Sequence, residues 1–151
     1  CALPIFSINR SSGSTALNQV TNGVAAFLKL NRRILIFPEG TRRPVGAPPK
    51  YKYGVTHIYA TLNARVIPAA LNTGLFWPRR SFLRYPGIAV IEFLPVIEPG
   101  LSRDDFSQRL QDAVEEGTDR LVIEALKADP ALASLLGAMP FTEDTEVGQS
   151  A

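Results

Sequence analysis

The chain is poor in the residues that most often do covalent chemistry. Its 151 residues hold one cysteine and one histidine. The lone Cys1 excludes an internal disulfide framework and fits a reducing compartment. With a single histidine, His57, any imidazole acid–base chemistry within the chain is confined to one position. Long apolar runs are missing too: no stretch reaches the roughly 18 residues of a membrane-spanning helix. Acidic residues are scarce in the first hundred positions, with 3 Asp and Glu against 12 Lys and Arg, whereas residues 101–151 carry 11 against 4. The net charge of +2 therefore hides a basic part of +9 and an acidic part of −7. A basic part of this size attracts anionic partners: phospholipid surfaces, phosphorylated metabolites, acidic carrier proteins or nucleic acid. The acidic part reads as a solvated helix face and a tail.

What is present is ordinary for a globular protein, 46% apolar and 20% charged, with the length of one domain. No internal repeat is visible. The chain starts on Cys1, just ahead of an apolar run, and reads as the C-terminal part of a longer protein. Residues 3–8 (LPIFSI) predict a short buried strand that ends at Asn9-Arg10. A Ser-rich turn with N-cap residues follows, then a helix over 16–30 with Leu17, Val20, Val24, Phe27 and Leu28 at helical spacing. Residues 33–37 predict a strand covered on both faces, and 38–53 a long loop rich in Pro, Gly and basic residues. A short helix over 54–62 carries His57. Strands are predicted over 65–71, where Pro68 disfavours a fully paired position, and over 88–94, with an irregular stretch at 72–86 between them. Ser102 and Asp105 form a capping box for the clearest helix, which runs to about residue 128. Residues 129–151 read as a flexible tail. This order predicts an α/β fold with a mostly parallel sheet covered by helices.

The sharpest chemical signal is the end of the second predicted strand, Phe37-Pro38-Glu39-Gly40-Thr41-Arg42. Gly40 gives the turn a backbone freedom closed to other residues. Thr41 supplies a hydroxyl, and Arg42 a planar fork suited to phosphate or carboxylate. An ordinary turn in which Glu39 and Arg42 pair at the surface is the plainer alternative. Arg10 stands at another predicted strand end, and Val66, Pro68 and Asn72 belong to a third. In a mostly parallel sheet, ligands gather beyond such strand ends, so the three clusters predict one active-site edge.

Together these segments resemble sequence blocks of the lysophosphatidic acid acyltransferases, members of the glycerolipid acyltransferases. FPEGTR matches without a change. Residues 4–10 resemble the apolar strand ending in Asp-Arg or Asn-Arg, and 66–70 the Val-x-Pro strand, so that the likeness covers roughly residues 3–126. It implies a glycerolipid-acyltransferase-like fold and transfer of a fatty acyl group from acyl-CoA or acyl carrier protein to lysophosphatidic acid. The product would be phosphatidic acid, made at the cytoplasmic face of a membrane without metal or cofactor. It further implies that Arg42, Thr41 and Gly40 contact the acceptor's phosphate, that Arg10 adds positive potential, and that Glu39 organises the loop. Val66, Pro68 and Asn72 would shape the site or the acyl path. Residues 1–128 would form the acyltransferase domain.

The chain departs from the family at one point. The family's catalytic block is a histidine followed, after four intervening residues, by an aspartate, upstream of these blocks. Here His57 follows FPEGTR, and the corresponding position holds Leu62. The pair is therefore expected upstream of Cys1, and this chain alone is expected to be inactive. Phe76, Trp77, Phe82 and Tyr85, interleaved with Arg79, Arg80 and Arg84, admit three readings. They suit a membrane interface with anionic headgroups, stacking on single-stranded nucleic acid, or plain core packing with arginines facing solvent. Once the family is taken as a guide, nucleic acid is not expected as a partner. A non-catalytic lysophospholipid- or phosphate-binding module and a basic nucleic-acid-binding domain remain the alternatives to an enzyme.

Overall fold

The computed structural model describes residues 13–78, 82 and 84–135. The strand expected over residues 3–8, together with Arg10, Arg79 and Arg80, lies outside them. Helix α1 spans Gly13–Lys29, earlier at its start than the apolar spacing predicted. It ends where Asn31 takes a left-handed conformation (φ 52°) and the Asn31 N–H bonds Leu28 O. Helix α2 spans Tyr53–Leu62, and Asn63 closes it in the same left-handed way.

Strand β1 (Ala69–Leu71) pairs antiparallel with β2 (Ile91–Phe93), with Ala70 opposite Glu92. Both are shorter than the predicted strands. Pro68 has no N–H to offer a ladder, so before β1 the pairing survives only as an isolated bridge between Val66 and Ile97. The connection through residues 72–90 contains the four-residue helix α3 (Thr73–Phe76). It returns the chain beside β1 in the opposite sense. The sheet among the described residues is thus small and antiparallel, and does not display the mostly parallel sheet expected from element order; what stands is a mixed α and β fold.

Residues 33–37 also differ from expectation. They find no strand partner among the described residues, and Leu35 and Phe37 are 76% and 66% exposed. An apolar run becomes a strand only when a neighbour supplies the ladder and covers the side chains.

The long helix α4 (Arg103–Ala128) starts as predicted: Ser102 Oγ accepts the Asp105 N–H, and the Asp105 carboxylate accepts the Ser102 hydroxyl. It covers one face of the sheet. A Cβ on Gly117 would come 2.7 Å from the Cβ of Ala70, so glycine permits the close approach. Arg120 pairs with Glu92 on the same side. The opposite face is bare, with Ile91 and Phe93 exposed. Two clusters make the core. Tyr59 stacks on Phe106 (centroids 3.7 Å apart) beside Ile97 and Leu110. Leu75, Phe76, Val122 and Leu132 form the second. Leu132 comes from a 3-10 helix, Pro130–Leu135, just after α4.

Candidate functional site

The FPEGTR segment folds as a closed turn. The Gly40 N–H donates to Phe37 O at 3.0 Å, with Pro38 pre-set for the second position. Gly40 takes φ +67°, where a side chain would be strained. The far end of the loop is tied back, since the Lys52 N–H donates to Pro38 O at 2.8 Å. Further along, Val45 packs against the cluster containing Leu75 and Phe76. So tight is the fit that a Cβ on Gly74 would lie 2.7 Å from a Val45 methyl. The long basic loop is therefore pinned at its base and along its length.

Within the turn, the charges sort themselves. Glu39 pairs with Arg43 at 3.4 Å and not with Arg42. Its carboxyl is pushed above the ordinary value, chiefly by burial, while Arg43 and the Lys50 N–H pull the other way. Arg43 Nε is buried without a hydrogen-bond partner. Arg42 and Thr41 are exposed, and Arg42 has no ion pair among the described residues. Below the loop, the Tyr51 hydroxyl donates to Glu115 at 2.8 Å, tying it to α4.

Arg42 does have a neighbour that the sequence did not announce. Its guanidinium lies 5.7 Å from the centroid of the Trp77 ring, and that of Arg84 lies 3.8 Å from it. Trp77, half exposed at 51%, thus joins the FPEGTR turn to the aromatic and basic stretch. The signal was present as two separate clusters; their meeting depends on Val45 docking on α3, a contact between distant residues. Phe82 is wholly exposed, but Phe76 is 8% exposed and packed in the core, so it cannot face an interface.

The third predicted cluster is engaged in holding the chain's own backbone. Asn72 is buried; its Oδ1 accepts the Val90 N–H at 2.8 Å and its Nδ2 donates to Ile88 O at 3.3 Å. Both ends of the amide clamp the return of the chain into β2. Pro68 is buried and its carbonyl accepts from Leu94, while Val66 forms the bridge to Ile97. His57 lies 5.9 Å from the Tyr53 ring centroid and 3.5 Å from Thr61 Oγ1, with no carboxylate among its described contacts. Among the described residues no group of three or more His, Cys, Asp or Glu could hold a metal ion. No helix among them is long and apolar enough to cross a membrane.

Comparison with known proteins gives a consistent set of relatives. The chain is 36% identical over 92 residues to a 1-acyl-sn-glycerol-3-phosphate acyltransferase of Pseudomonas aeruginosa, covering 61% of this chain and 36% of that protein. Proteins of the same name from Cocos nucifera and Limnanthes alba are 34% and 29% identical over 91 residues, about three-fifths of this chain and under a third of each relative. The chain therefore spans about a third of the length of the curated relatives it matches, and it fits a partial chain of the lysophosphatidic acid acyltransferase family. No protein-family model matches it, and no solved structure does.

Proposed function

We propose that this chain is the acceptor-holding part of a lysophosphatidic acid acyltransferase, an enzyme of phospholipid synthesis. The observation that supports it most is the turn at residues 37–42. It holds Arg42 and Thr41 at the surface, frees Arg42 by pairing Glu39 with Arg43, and sets the guanidinium near the Trp77 ring, which Arg84 also approaches. Two guanidinium groups around one half-exposed ring suit the phosphate of a lysophosphatidate, since charge-assisted bonds to phosphate are among the stronger polar contacts. Thr41 adds a hydroxyl next to them, and Gly40, its N–H committed to Phe37 O, supplies the turn that presents them.

In the reaction, the free hydroxyl of the acceptor attacks the carbonyl carbon of an acyl thioester. An ester C–O bond forms, the C–S bond breaks, and the hydroxyl proton ends on the departing sulfur. A base must carry that proton. Among the described residues His57 has no carboxylate contact; on this reading the base and its aspartate belong to the full protein outside this chain, which alone is inactive. The turn's part is to fix the phosphate so that the hydroxyl faces the thioester. Arg10 adds positive potential, and the 66–72 segment shapes the site's floor. Trp77, Phe82 and Arg84 meet the headgroup region of the membrane that supplies the acceptor, at its cytoplasmic face. Around the described sheet, the full protein adds strands parallel to residues 33–37.

Lysophosphatidate binding to this chain tests the reading, with a lysophosphatidylcholine and an oligonucleotide as competitors. Preference for the free phosphate monoester supports it. Equal or tighter oligonucleotide binding, with a steep salt dependence, would assign the basic surface to nucleic acid instead. Acyl transfer by the full protein separates an enzyme from a non-catalytic lipid-binding module.

A further inference from the structure

A cavity of about 310 Å³ lies beside the turn, between the start of α2 and the first turn of α4. Its walls combine aromatic, cationic and hydroxyl groups. Tyr51 and Tyr53 supply rings, and because the Tyr51 hydroxyl is committed to Glu115, that residue offers its face alone. Lys52 and Arg103 supply charge, and neither has an ion-pair partner among the described residues. Thr56 and Ser107 add hydroxyls, and Asp104 adds one carboxylate. The volume sits at the small end of the range for small-molecule sites, about 300–1,000 Å³, and suits one mononucleotide-sized group.

We infer that this cavity holds the phosphorylated nucleoside end of the acyl donor. Rings for a base, two uncommitted cations for phosphate and a carboxylate that accepts from ribose hydroxyls form the combination a nucleotide needs. Asp104 disfavours a bare phosphate by its charge while offering the sugar an acceptor. Lys52 connects the two places: it lines the cavity, its N–H holds Pro38 O, and its Cγ lies 3.6 Å from where a Gly40 Cβ would be. A donor extending from the cavity past Lys52 reaches the turn that carries Arg42. That the nucleotide belongs to an acyl donor rests on the function proposed above; that a nucleotide binds here does not.

The test is titration of the 151-residue chain with adenosine 3′,5′-bisphosphate, following backbone amide signals of Lys52, Tyr53, Thr56, Arg103 and Ser107 by NMR. Saturable shifts at these positions are expected, with affinity falling about tenfold or more in Lys52→Ala and in Arg103→Ala. It should hold in Arg109→Ala, which removes an exposed charge of α4 outside the cavity. Affinity unchanged in both cavity variants, or absence of saturation, would overturn the inference. So would equally tight binding of 4′-phosphopantetheine or inorganic phosphate. Lysophosphatidate titrated into the same samples reads the other site. Its failure to bind while the nucleotide binds would contradict the proposed acceptor role and support this cavity. The reverse pattern would do the opposite.

Discussion

Glu39 and Arg43 take each other, and that pairing leaves Arg42 outside the turn's own charge balance. The sequence showed three charges in five positions but not which two would join. The partition follows from depth: Glu39 and Arg43 are part-buried where Arg42 is exposed. Tyr51 carries a separate consequence of burial. Desolvation first, and then its hydrogen bond to the Glu115 carboxylate, raises the phenol above its ordinary value of 10.0. The folded state keeps this proton where the unfolded chain releases it. Its contribution to stability is thus full below about pH 10 and falls as pH rises beyond that. Tyr51→Phe should flatten the alkaline loss, read from urea midpoints between about pH 9 and 11; equal slopes would contradict the assignment. Asn72 yields a second residue-scale prediction. Asn72→Ala leaves the Val90 N–H and Ile88 O without their side-chain partners, and should lower unfolding free energy by about 1–3 kcal/mol. A loss under about 0.5 kcal/mol would mean the clamp does not hold the return into β2.

Helices were legible because their evidence is local. The spacing of Phe106, Leu110, Val114 and Leu121 and the Ser102–Asp105 box define α4 from within it, and His57's short helix likewise held its place. Strands were less so, because pairing is a property of two segments. Residues 33–37 look like a buried strand and lie bare, while β1 and β2 shrink around Pro68 and a turning connection. FPEGTR was visible as a turn, whereas its meeting with Trp77 required the docking of Val45 on α3. The contact of α4 with β1 is the element-scale claim most open to measurement. Gly117→Ala improves helix propensity by roughly 1 kcal/mol, yet its methyl would meet Ala70 at 2.7 Å. A net destabilisation of about 1–2 kcal/mol by chemical denaturation is expected; a stabilised variant would show that helix and strand are not so close. On the bare face, Phe93→Ser should cost less than about 0.5 kcal/mol in this chain.

At the scale of the molecule, charge and apolar surface are both uneven. The basic part carries the turn and Trp77, while the acidic residues sit on α4 and beyond. Leu35, Phe37, Ile91 and Phe93 remain uncovered, which fits a chain matching only about a third of its relatives' length. The bare face predicts concentration-dependent self-association, visible by sedimentation. The account as a whole turns on Arg42 meeting the acceptor's phosphate. Acyl transfer to lysophosphatidate by the full-length protein, comparing Arg42→Ala with Arg84→Ala, tests this most directly. Loss of a charge-assisted contact predicts a fall in kcat/KM of about 10- to 100-fold for Arg42→Ala, with a distinctly smaller loss for Arg84→Ala. Equal activity of wild type and Arg42→Ala would contradict the account at its centre.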